Sequence, residues 1–230
     1  MRAPARRSKL LRPPKQPKQP KQPKPRKPRW RRRKDARPEE IISAALLVFA
    51  DRGFAATKLE DVARKAGVTK GTIYLYFENK EALFKALIRQ AIVPVIAKGE
   101  AIAQAFTGSA RELFERLIRE YWRVVGETSL ASIPRLMIAE ASNFPELARF
   151  YYQEVVTRGH RLMAGVLERG ITAGEFKKLD LTIATKLAMA PLMHAVVARK
   201  AFAHCMPEGF DVAGYLDSHI DLFLYGIANQ

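Results

Sequence analysis

Cysteine is almost missing from this 230-residue chain. Cys205 stands alone, which excludes an intramolecular disulfide framework and fits a reducing cytoplasm. No apolar run reads as long enough to span a bilayer. Leu10-Leu11 is the only apolar pair in the basic N-terminal stretch, too little for a signal-peptide core. Chemistry-bearing motifs are also scarce. His160, His194, His204 and His219 are scattered. None forms an HExxH-like pair or a Cys/His cluster at zinc spacing, and the adjacent His204 and Cys205 point apart on a helix. There is no glycine-rich phosphate loop, no GxSxG elbow and no paired-carboxylate signature. The expectation is a chain with no metal, no cofactor and no catalytic residue, and so not an enzyme.

Acidic residues are lacking at one end only. Residues 1–38 hold 17 Lys or Arg and one Asp, 17 − 1 = +16. The remainder holds 23 against 22, 23 − 22 = +1, which completes the formal +17. The basic character therefore belongs to a tail. Residues 1–36 repeat a Lys-Gln-Pro unit and close on Arg29-Trp30-Arg31-Arg32-Arg33-Lys34. Proline at every third place blocks helix, and there is little to bury, so a disordered, extended arm is expected. Such an arm can lie along phosphates or enter a minor groove. A merely solubilising extension is the other reading.

What is present in the rest is helical periodicity. The organising stretch is Thr57–Phe77. Thr57-Lys58-Leu59-Glu60 has a capping-box pattern. Val62, Ala63 and Ala66 form an apolar face, and Gly67 sits where a left-handed residue ends a helix. Val68 can seal the joint, Thr69 is a second N-cap, and Ile73 with Phe77 is the buried side of the next helix. This is the steric skeleton of a helix-turn-helix. Thr69, Lys70, Gly71, Thr72, Tyr74 and Tyr76 are left to face outward, a set of hydroxyls and a cation suited to phosphates and base edges. Thr57 and Lys58 at the preceding helix start, and Lys80 beside the helix that Asn79 caps, complete the candidate DNA contacts. Arg37 is a further possible phosphate contact.

Upstream, Pro38 opens a first helix whose stripe is Ile41, Ile42, Ala45, Leu46 and Phe49, ended by Gly53, with Phe54 tucking back. Together, Ile42-x-x-Ala45-x-x-x-Phe49-x-x-x-Gly53-Phe54, Thr57-x-x-Asp61-Val62-Ala63-x-x-Ala66-Gly67-Val68 and Gly71-Thr72-Ile73-Tyr74-x-Tyr76-Phe77-x-x-Lys80-x-x-Leu83 form one dense, ordered pattern. Residues Arg37 to Leu87 thereby resemble the DNA-binding domain of the TetR/AcrR family of bacterial one-component transcriptional regulators. The resemblance implies an all-α protein. It places a helix-turn-helix domain at 37–82, linked through a fourth helix to a ligand-binding and dimerisation domain at 83–230, after the arm at 1–36.

The fourth helix is expected from Lys80 towards Phe106, kinked or broken at Pro94. Further helices are expected near 109–126, 129–141, 145–170, 180–204 and 211–228, with no convincing strands. This half is rich in large apolar and aromatic residues. Phe106, Tyr121, Trp122, Met137 and Phe144 are candidates to line a ligand cavity, as are Tyr152, Met163, Met193 and His194, with Leu117, Tyr151 and Met189 beside them. Ordinary core is the alternative for each. The last two helices carry a second apolar face, Leu187, Met189, Ala190, Leu192, Met193, Val196 and Val197 on one and Val212, Leu216, Ile220, Phe223 and Leu224 on the other. In the resembled family those helices pair with a second copy; completing the monomer core is the alternative.

The sequence thus reads as a homodimeric, ligand-responsive DNA-binding regulator, a repressor released from a palindromic operator by a small apolar or aromatic molecule. It is expected in the bacterial cytoplasm, at the nucleoid, with no membrane contact. The competing readings are a low-specificity basic nucleoid protein and a small-molecule-binding helical protein or enzyme with a vestigial reader.

Overall fold

The computed structural model describes residues 38–201, 205 and 211–229. The basic arm, Arg37, Trp30 and His204 lie outside them. Eleven α-helices are described: α1 Pro38–Arg52, α2 Leu59–Ala66, α3 Lys70–Tyr74, α4 Lys80–Ala91, α5 Val93–Ala105, α6 Ala110–Tyr121, α7 Ser132–Glu140, α8 Pro145–Tyr151, α9 Thr157–Thr172, α10 Leu181–Ala201 and α11 Val212–Ile227. The protein is all-α. Among the described residues its only β pairing is one antiparallel bridge, Phe176 to Ala228.

Local chemistry sets most helix boundaries. Ser109 and Glu112 form a reciprocal capping box at α6. The Asn79 side chain accepts from the Ala82 amide at α4, and Asp211 accepts from Gly214 at α11. Gly53 (φ 81°) and Gly67 (φ 74°) close α1 and α2 in the left-handed region that only glycine enters cheaply. The long fourth helix is in fact two. Pro94 has no N–H to give the α4 ladder, so α4 ends at Ala91, and α5 starts at Val93 with proline in its first turn.

Two apolar cores result. The first joins α1–α4 to the second half. Phe49, Phe54 and Phe84 meet at centroid distances of 5.4–5.5 Å, and Ile133, Leu136, Met137 and Leu147 from α7 and α8 complete the cluster. Each such aromatic pair adds about 0.5–1.5 kcal/mol beyond burial. The second core packs α6 and α9 against α10 and α11. Residues 32–230 accordingly form one unit, and the packing runs straight across the 82/83 boundary drawn from the sequence.

Helix α10 corrects one expectation. Leu181–Arg199 is, by length and composition, apolar enough to cross a membrane. Ala184, Ala188, Leu192, Ala195 and Val196 instead bury one side of it in the second core, so its apolar character serves packing.

Candidate DNA reader and regulatory cavity

The reader is built as its sequence pattern requires, with three corrections. Gly67 and the Val68 amide turn the chain onto the Ala63 carbonyl (2.9 Å for Val68), and Val68 and Ile73 are buried in the joint. Thr69 caps α3 by accepting from the Thr72 amide at 3.1 Å. The outward residues are Lys70, Gly71, Tyr74, Leu75 and Tyr76. Leu75, absent from the outward set read from the sequence, is 77% exposed. Lys58 is exposed and holds the N-cap position of α2 without a side-chain bond. Lys70 pairs with Glu60 and lies 5.5 Å over the Tyr74 ring. The hydrogen bond that Lys70 donates to the Glu60 carboxylate raises the ammonium above the ordinary lysine value and lowers Glu60 in return. Both side chains are exposed to solvent, so a phosphate can displace the carboxylate at little cost.

Thr57, Thr72 and Lys80 face the protein. Thr57 is buried and makes no capping box. Its hydroxyl donates to the Gly53 carbonyl at 2.6 Å, and α2 begins one residue later than the pattern suggests, with Lys58 at the N-cap. Thr72 is buried with its hydroxyl 2.9 Å from that of Thr69. Lys80 donates to the Phe54 and Ala55 carbonyls at 2.7 and 3.1 Å and covers the Phe54 ring at 4.5 Å. Burial pulls its ammonium below the usual lysine value, partly offset by Glu81 and Glu140.

That same turn, 50–55, is held from the other half. The buried Glu140 carboxylate accepts from the Ala55 amide at 2.9 Å and from Asn143 at 3.2 Å. Arg135 donates to the Ala50 carbonyl at 3.0 Å. Both residues stand on α7, and no local pattern marks either one.

The second half encloses a cavity of about 450 Å³ walled by α5–α10. Its lining is almost wholly apolar. Tyr121, Met137, Tyr152, Met163 and Met193 border it as expected, as do Leu117, Tyr151 and Met189. Four candidates do not. Phe106 lies under the Arg116 and Arg169 guanidinium groups. Trp122 is buried, stacked on Gly126, where a Cβ would come within 2.6 Å of the indole, and covered by Arg199. Phe144 packs edge-on against Phe54 at 4.8 Å in the reader core. His194 is exposed, with its nearest ring, Tyr215, at 6.4 Å. A helical period does not say which neighbour an apolar side will meet.

Residues that the sequence reading missed include Val124, Ile138, Val155, Gly159 and His160. Ile138 and Tyr152 are more than half exposed and mark the mouth. Two π-helical segments, Trp122–Gly126 after α6 and Tyr152–Val156 between α8 and α9, both supply wall residues. Such widened turns occur often at functional sites, and they leave no trace in apolar spacing. Lys98, Glu120 and Arg123 form a charged cluster beside the cavity, with Lys98 to Glu120 at 2.8 Å and Arg123 to Glu120 at 2.7 Å. Arg123 first and then Lys98 hold the Glu120 carboxyl down to about 2. No group of three or more His, Cys, Asp or Glu side chains comes together to hold a metal among the described residues.

On α10, Ile183, Leu187, Ala190 and His194 line up outward, and on α11 Leu222 and Tyr225 do the same. Most of the residues named for this face lie elsewhere. Leu192, Val196, Leu216, Ile220 and Leu224 are buried in the chain's own core, and Phe223 stacks on Phe114 at 5.1 Å.

Comparison with known proteins bears on both halves. Residues 41–87 match the profile of bacterial regulatory proteins of the tetR family, and residues 105–204 match the tetracyclin repressor-like C-terminal domain. The chain is 28% identical over 200 residues to the fatty acid metabolism regulator protein of Bacillus subtilis, covering 86% of this chain and all of that one. It is 31% identical over 155 residues to the HTH-type transcriptional regulator YfiR of the same organism, covering 65% of this chain and 73% of that one. Its fold matches the crystal structure of FadR from Bacillus subtilis in complex with stearoyl-CoA, with a TM-score of 0.70 at 24% identity over 83% of this chain and 100% of that chain.

Proposed function

Because this chain belongs to the TetR family of bacterial transcriptional regulators, we propose that it is a homodimeric repressor released from a palindromic operator by a long-chain apolar ligand. It is a DNA-binding regulator and not an enzyme. The finer reading rests on one observation, a cavity of about 450 Å³ with a nearly continuous apolar lining behind a rim of Ile138 and Tyr152. That volume lies in the range of small-molecule sites. The fatty-acid regulator among its relatives and the stearoyl-CoA bound to its structural neighbour support a lipid chain as occupant.

The division of labour we propose keeps residues 37–82 as reader and 83–230 as the regulatory and dimerising part. Lys58, Lys70, Gly71, Tyr74, Leu75 and Tyr76 meet DNA, and the outward strips of α10 and α11 join two copies. A twofold dimer presents two α3 helices to successive major grooves, roughly 34–36 Å apart. The signal has two routes. Ile92, Val95 and Ile96 line the cavity at the α4–α5 break, so the joint senses occupancy. Met137, Ile138 and Ala141 line it on or beside α7, whose Arg135 and Glu140 grip the turn at 50–55. A ligand that prefers one pose of these elements biases the spacing of the readers; one that fits both poses equally does nothing. The protein works in the bacterial cytoplasm.

Fluorescence anisotropy with the DNA upstream of its own gene tests this. Wild-type protein binds, and a C12–C18 acyl compound releases it. Tyr74→Ala weakens binding with unchanged melting temperature. Specific binding that survives Tyr74→Ala and Lys70→Ala together but vanishes on deleting residues 1–36 would sink the reader assignment in favour of a low-specificity basic protein.

A further inference from the structure

Two tyrosines stand out in a cavity whose lining is mostly apolar. Tyr121 and Tyr151 both border it. The Tyr121 hydroxyl has one protein partner, the Met193 sulfur at 3.9 Å, and a thioether is a weak acceptor. The Tyr151 hydroxyl has no hydrogen-bond partner among the described residues. Burial pushes both phenols above the ordinary tyrosine range, with the Tyr151 phenol adding to the effect on Tyr121, so both stay protonated. Both are half-buried, and each therefore holds an O–H without a strong protein acceptor. Phenylalanine would line the same wall without that cost.

The charged groups at the cavity narrow the acceptor. Lys98 is already paired with Glu120, which also binds Arg123. Burial, with Lys186 nearby, lowers the His160 pKa and keeps it neutral near pH 7. A carboxylate could reach these cations only by displacing the half-buried Glu120 that Lys98 and Arg123 share, whereas an uncharged carbonyl oxygen needs only the phenol hydrogens. We infer that Tyr121 and Tyr151 form a polar subsite that receives the uncharged carbonyl oxygen of the ligand, which makes the preferred effector an ester or thioester of a fatty chain and not the free acid or a hydrocarbon. This rests on the apolar-ligand reading above.

The experiment compares four probes of equal chain length on the full-length protein: methyl laurate, dodecanoate at pH 8, dodecanol and n-dodecane. Binding is read by displacement of N-phenyl-1-naphthylamine and by the shift in melting temperature. A net hydrogen bond corresponds to about 3- to 10-fold in affinity. Methyl laurate is expected to bind roughly 10-fold tighter than dodecane and tighter than dodecanoate or dodecanol. The double variant Tyr121→Phe/Tyr151→Phe brings methyl laurate to within about twofold of dodecane and leaves dodecane binding in place. The single Tyr151→Phe variant melts no lower than wild type without ligand, since the lost hydroxyl had no partner. Dodecane binding as tightly as the ester, dodecanoate or dodecanol matching it, or the double variant losing all probes equally would each overturn the subsite while leaving an apolar site standing. If none of the four shifts the melting temperature, the apolar-ligand reading falls and the subsite falls with it.

Discussion

The two ends of this molecule are filled differently. Around α1–α4, three phenylalanines at 5.4–5.5 Å, Phe144 at 4.8 Å and the Lys80 cation pack against one another. Between α5 and α10 the walls stand apart, two π-helical turns widen them, and about 450 Å³ is left over. A reader must hold α3 in one pose to match a groove, and solid packing enforces a single pose. A receptor for a flexible chain needs free volume and side chains that re-pack, which methionines such as Met137, Met163, Met189 and Met193 supply. The same helical periodicity thus serves rigidity at one end and room at the other.

The sharpest way to break this contrast is to open a hole in the solid end. Phe84→Ala should cost about 3–5 kcal/mol, measured by urea denaturation, and operator binding should fail with it. A cost below about 1 kcal/mol would mean that the reader core is not the tight end. Next comes the tie between the ends. Glu140→Ala leaves the Ala55 amide without its acceptor, at about 1–3 kcal/mol, and should blunt the release of DNA by ligand. Glu140→Gln keeps an oxygen there and should recover most of the stability. An unaltered ligand response in Glu140→Ala, followed by anisotropy, would remove α7 as a signal route.

At the roomy end, additions should be tolerated. A Cβ at Gly159 meets nothing within 4 Å, so Gly159→Ala should stabilise the empty protein by about 0.4–1 kcal/mol while trimming the cavity and weakening the longest ligands most. Gly99 is the control, because a Cβ there would come within 2.8 Å of Leu162, and Gly99→Ala should gain less or lose. The smallest effect is a pH slope. His219 is buried and its ring nitrogen meets the Ala188 carbonyl at 2.9 Å. Burial lowers its pKa, against the raising effect of that bond. The unfolded chain then takes up the proton first, so stability is full above about pH 6.5 and falls as pH drops towards the lower folded value. Melting curves from pH 7.5 to 5 should show this decline, and His219→Gln should flatten it.

How much of this was legible in advance depended on range in sequence. The joint of Ala63, Gly67, Val68 and Ile73, the Thr69 and Asn79 caps and the break near Pro94 were readable, since each is decided within a turn or two. Thr57, Thr72 and Lys80, read as DNA contacts, face the protein instead, the two threonines through local bonds and Lys80 through distant ones. Thr57 and Thr72 are turned inward by neighbours three and four residues away, and Lys80 by carbonyls about 25 residues back. Phe106, Trp122, Phe144 and His194 have the composition of pocket residues but meet other surfaces. Glu140 reads as one more surface acid until α7 brings it 2.9 Å from an amide 85 residues away.

The sequence by itself determined the all-α class, the helix-turn-helix and the placement of the excess charge in the arm, because caps, glycine conformation and 3.6-residue periodicity are local properties of the chain. The tertiary structure alone decided where the cavity lies, which two phenols it leaves without a strong acceptor and how α7 grips the reader. A cavity is a place where distant segments fail to fill space, and no single segment carries the information about what the others leave empty.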